Sequence, residues 1–121
     1  MTARAESLIL DIDEARLAEM LALVGPACEQ NLLRSLICDL RSARARLLQA
    51  VARRDRTVMR DQTHVLASLA GTFGAVALNE AAQELDARNP SGTAGVDASR
   101  VIHRIDRLIA DLSARLAERA R

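Results

Sequence analysis

Leucine and alanine recur every three or four residues through most of the chain, with polar residues between them, which is the period of an amphipathic helix. From Pro26 to Arg53 the positions Leu32, Leu36, Leu40, Ala43, Leu47 and Ala50 draw one apolar stripe. Leu33, Ile37 and Leu48 widen it, as suits a helix that touches two neighbours. Upstream, Asp11-Ile12-Asp13-Glu14 opens a shorter helix that runs to about Val24, its acids lying where the helix dipole favours them. Leu17, Met20, Leu21 and Val24 supply its apolar side. Gly25-Pro26 ends it, and Pro26 suits the first turn of the next helix.

Arg53-Arg54-Asp55 marks a turn, with Asp55 placed to cap a third helix from Arg56 to about Ala70. Gly71-Thr72-Phe73-Gly74 breaks or bends that helix, and Phe73 reads as a core plug at its end. A fourth pattern covers Ala75 to Ala87, with Leu78, Ala81, Ala82 and Leu85 inward. Asn89 to Gly95 is rich in turn residues and predicts a loop. Asp97 or Ser99 then caps a last helix, whose stripe is Val101, Ile102, Ile105, Leu108, Ile109, Leu112 and Leu116. No internal repeat divides the chain. Residues 1–121 therefore read as one all-α domain, an up-down-up-down four-helix bundle preceded by a short N-terminal helix.

Composition agrees with that reading. Half the residues are apolar, yet there is one Phe and no Trp or Tyr, which favours helices packed on helices over a sheet-based core. The length suits a single domain with one core. The net charge is +1, and every basic residue is Arg. So even a balance argues against general nucleic-acid binding, which needs a basic face. The local cluster Arg53, Arg54, Arg56 and Arg60 reads as a solvated helix end. Cys28 and Cys38 form no metal-binding spacing and fit a reduced compartment, where a free Cys behaves as a small apolar residue. Met1 to Ile12 lacks the long apolar stretch of a leader. The uncharged run from Val65 to Leu78 is too short to span a bilayer. A cytoplasmic, monomeric domain without metal or cofactor of its own is expected.

The chemistry concentrates at one place. On the third helix, Val58, Gln62, Val65, Leu66, Leu69 and Phe73 define the expected buried stripe, and His64 points about 200° away from its centre. Around it on the exposed side stand Arg60, Ala67, Ser68 and Gly71, where a solvent face normally carries long polar side chains. A small-residue clearing around one nucleophilic nitrogen fits a landing place for another protein's reactive group. His103 is the contrast: it lies off its stripe beside Arg104, with no such clearing, and reads as solvated.

With His64 on the second helix of the bundle, the chain resembles the histidine-containing phosphotransfer (HPt) domains of bacterial phosphorelays. The family motif runs His-x-Leu-Lys-Gly, then five residues, then Gly-Ala. His64, Leu66, Gly74 and Ala75 match it. Ala67 stands where the family usually has Lys, and Ser68 where it usually has Gly. The resemblance implies a phosphocarrier without turnover of its own. His64 would take a phosphoryl group from a receiver-domain aspartate and pass it to another response regulator. The implied partners are receiver domains and a hybrid histidine kinase, with Mg²⁺ supplied by the receiver alone.

Arg60, one turn before His64, is the nearest replacement for the missing Lys, since guanidinium suits phosphate. The Ser68 hydroxyl can donate to a phosphoryl oxygen. Thr57, Ala67 and Gly71 complete the expected docking surface, with Arg46 and Arg53 as candidates to widen it and Asp61 opposing an incoming phosphate. The alternative is an HPt-like interaction or scaffold module that carries no phosphate.

Overall fold

The computed structural model describes residues 11–88 and 94–120, with backbone alone at 94–97. Among the described residues five α-helices follow one another: α1 Glu14–Val24, α2 Glu29–Arg53, α3 Arg56–Phe73, α4 Val76–Arg88 and α5 Ala94–Arg119, with a 3₁₀ turn at Pro26–Cys28. Helices α2 to α5 each pack along their chain neighbours, and α5 closes the ring against α2. With connections this short, successive helices run antiparallel and form the expected bundle. Residues 1–10, most of the segment expected to hold no leader, and 89–93 of the expected loop lie outside the described residues.

The helix ends follow from local chemistry. Asp13 caps α1 by accepting from the Arg16 N–H at 3.2 Å, and Asp55 caps α3 by accepting from the Val58 N–H at 3.1 Å. Helix α2 stops at Arg54, a left-handed residue (φ 54°) whose N–H turns back to the carbonyls of Ala50 and Val51. Helix α3 runs through Gly71 and Thr72 to Phe73, longer than the sequence predicts. A lone Gly inside a helix costs only about 1 kcal/mol, and burial of Phe73 holds that last turn. The stop comes at Gly74 (φ 81°), where N–H groups of Gly74 and Ala75 both meet the Ala70 carbonyl.

Helix α5 starts at Ala94, so Asp97 and Ser99 sit within it and neither is its N-cap. Ala98 belongs to the core, and the helix extends a turn upstream to bring it there.

The lengths explain α1. Helices α2 and α5 have 25 and 26 residues, against 18 and 13 for α3 and α4. At 1.5 Å per residue this longer pair exceeds α3 by roughly 10 Å and α4 by roughly 20 Å, and α1 covers the apolar surface left open there. Leu17 and Leu21 are buried in the common core. The Asp13 N–H donates to the Gly74 carbonyl at 2.7 Å, and Arg16 Nε donates to the Thr72 carbonyl at 3.1 Å. Arg115 grips the Glu14 carboxylate with two N–H groups, at 2.8 and 2.6 Å. Met20 is only partly buried, and Val24 and Leu48, both expected inward, are exposed at the edges of their stripes.

Candidate functional site

Helix α3 buries Met59, Gln62, Thr63, Leu66, Ala70 and Phe73. The expected stripe is correct at Gln62, Leu66 and Phe73 and wrong at Val65, which is 50 % exposed; Val58 and Leu69 are only partly buried. The buried face is thus turned by roughly 60° from the sequence-based estimate. Thr63 accounts for part of the difference. Its hydroxyl donates to the Arg60 carbonyl at 2.8 Å, so a polar residue enters the core with its hydrogen bond made.

The turn leaves His64 outside, with 59 % of its side chain exposed, halfway along α3. Thr57, Arg60, Ser68 and Gly71 are exposed as well and share its side of the helix at spacings of seven, four, four and seven residues. Ala67 differs from expectation. It is half-buried and packs against the core, because the rotation carries it toward α4. There the Asn79 side-chain amide donates to the Ala67 carbonyl at 2.8 Å, and Gln83 donates to Asn79 at 2.7 Å.

The expectation that only small residues surround the imidazole fails on the α4 side. His64 Nε2 lies 3.2 Å from Asp86 Oδ2, and that carboxylate is itself 36 % exposed. The α3–α4 hairpin produces the contact. Its turn at Gly74-Ala75 pairs residues about equally far on either side, and His64 and Asp86 are such a pair. The sequence holds that signal, but only once the turn is fixed at Gly74.

Arg60 is exposed, and its guanidinium makes no ion pair with any described residue. Arg46, Arg53 and Asp61 are exposed too. His103 is exposed on α5. Cys28 and Cys38 are free and exposed, not interior as a small apolar residue would be. No group of three His, Cys, Asp or Glu residues among those described is placed to hold a metal ion. No helix among the described residues is long and apolar enough to cross a membrane.

The chain matches the Hpt domain family over residues 31–115, which takes in α3, α4 and most of α2 and α5. It belongs to the Hpt domain family. No curated protein and no solved structure matches it. Hpt domains are phosphocarriers rather than enzymes; they have a histidine phosphotransfer role in phosphorelays and interact there with receiver domains and kinases. This Hpt domain has two histidines, His64 and His103, and both fall within the matched residues.

Proposed function

We propose that this Hpt domain carries its phosphoryl group on His64, taking it from a receiver-domain aspartate and passing it to the aspartate of another response regulator. The observation that carries the reading is the exposed position of His64 midway along α3, on a side of the helix trimmed to Thr57, Ser68 and Gly71. Approach matters more than local machinery here, because phosphoryl transfer depends chiefly on in-line positioning and neutralised charge. A receiver can lay its active face along the Thr57–Gly71 side of α3 and meet no long side chain there except Arg60. Ala67 contributes from the flank.

In the transfer, the Nε2 lone pair attacks phosphorus, the bond from phosphorus to the aspartyl oxygen breaks, and the aspartate leaves as a carboxylate. The acidic pocket and Mg²⁺ belong to the receiver in this reading. Arg60 supplies positive charge from one turn away, and the Ser68 hydroxyl supplies a donor. We place the carrier in the cytoplasm, acting as a monomer between a hybrid kinase and a response regulator.

A second reading keeps the bundle as an interaction module without phosphate. It is favoured by Ala67 in the position of the family Lys and by the carboxylate on Nε2. Phosphoramidate separates the two, since its P–N bond can break to release ammonia while a phosphoryl group passes to an imidazole. The carrier reading expects an acid-labile, base-stable phosphate on the wild-type chain, lost in His64→Gln and kept in His103→Gln. Label that survives His64→Gln refutes the site.

A further inference from the structure

The contact between His64 and Asp86 does more than fill space. A carboxylate only accepts hydrogen bonds, so a 3.2 Å approach of Oδ2 to Nε2 is favourable only while Nε2 carries a proton. Both such forms of the ring, the neutral Nε2–H tautomer and the imidazolium, lack the Nε2 lone pair. The resting contact therefore holds the ring in a form that cannot attack through this nitrogen. To react, the ring must move its proton to Nδ1 through solvent or lose one from the cation, and Asp86 must turn away. After transfer, the anionic phosphoryl group occupies the space in front of Nε2 and faces the same carboxylate. Helix α3 offers no Lys against this, because the chain contains none, and Arg60 is the cation one turn away.

Resting on the assignment of His64 as the phosphoryl acceptor, we propose that Asp86 is a built-in counter-charge that caps Nε2 at rest and disfavours phosphohistidine. It slows loading and speeds onward transfer, so the domain passes phosphate on more readily than it stores it. Asp86 touches the acceptor ring and is exposed enough to swing into water, as such a device requires. A purely orienting partner needs no charge; an amide of the same shape would hold the ring as well.

Asp86→Asn, Asp86→Glu and Asp86→Ala separate these roles. The full chain and each variant are loaded with phosphoramidate, and the loading rate is followed by anion-exchange chromatography, with melting curves to confirm folding. The counter-charge predicts about tenfold faster loading in Asp86→Asn, the size expected for like charges in contact at a half-exposed site. Asp86→Ala loads faster too, and Asp86→Glu stays close to wild type. Loading of Asp86→Asn at the wild-type rate, with the phosphate on His64, overturns the counter-charge and leaves the acceptor intact. Absence of label from wild type and Asp86→Asn alike overturns the acceptor assignment itself.

Discussion

The side-chain amide of Asn79 donates to the backbone carbonyl of Ala67 across the α3–α4 interface at 2.8 Å, three residues beyond His64. That carbonyl belongs to the helix that presents the imidazole, so Asn79 fixes the axial register of α4 against the site. The same register brings Asp86 to Nε2. Asn79→Ala removes the tie. It should cost about 1 kcal/mol, the ordinary net worth of such a bond, and weaken the Nε2 contact. Urea denaturation measures the first, and the ¹⁵N shifts of the His64 ring measure the second.

Gly71 and Gly74 are three residues apart and should respond oppositely to Ala. A Cβ at Gly74 would lie 2.9 Å from Arg16 Cβ and 3.0 Å from the Asp13 carbonyl, at a φ of 81°. Gly74→Ala should therefore destabilise by about 1–3 kcal/mol and loosen α1. At Gly71 the nearest atom is Asn79 Nδ2 at 3.5 Å, an ordinary contact. Gly71→Ala should raise the melting temperature, adding up to about 1 kcal/mol through helix propensity. If it also slows transfer to a receiver, the small residue at 71 serves docking.

The rotated face of α3 is directly testable at two positions. Val65→Lys should change stability by under about 0.5 kcal/mol, since half of that residue already meets water. Thr63→Lys places a long cation in the core and should leave the domain largely unfolded by circular dichroism. The stripe expected from sequence alone predicts the reverse order.

That reversal shows what the sequence discloses and what it withholds. Periodicity and local signals give five helices, their order, the acidic opening of α1 and the cap at Asp55, because each is local or a simple repeat. It also places His64 on the outside. The phase of α3 is misjudged because Val58, Val65 and Leu69 are as apolar as the residues that pack inward, while Thr63 enters the core by bonding its own helix. Periodicity does not disclose Asp86, because its relation to His64 depends on the exact residue of the α3–α4 turn. Exposed Val24 and Leu48 follow the same rule: apolar character marks candidates for burial, and neighbouring helices choose among them.

Acid should act first on α1. The hydrogen bonds from Arg115 hold the Glu14 carboxyl below its ordinary value of 4.5. A carboxyl depressed in the folded state stabilises fully above its unfolded pKa and loses that contribution as pH falls through the folded one. The Glu14 carboxyl itself is largely exposed, so solvent screens the pair and the contribution is small. Below about pH 4.5, hydrogen-exchange protection factors at α1 should fall before the bundle melts, and Glu14→Gln should flatten that dependence.

Arg54 adopts a left-handed conformation that glycine takes at no steric cost. Arg54→Gly should stabilise the domain by about 0.5–1 kcal/mol, seen as a higher midpoint in urea with an unchanged slope.

The most direct measurement is to load the wild-type chain from a phosphorylated receiver domain and locate the added mass by tandem mass spectrometry under basic conditions. A single phosphoryl group on the peptide bearing His64, assigned to the imidazole and removed when fresh receiver is added, is the predicted result. Phosphate on His103, or on a serine or threonine with His64 unmodified, would contradict it.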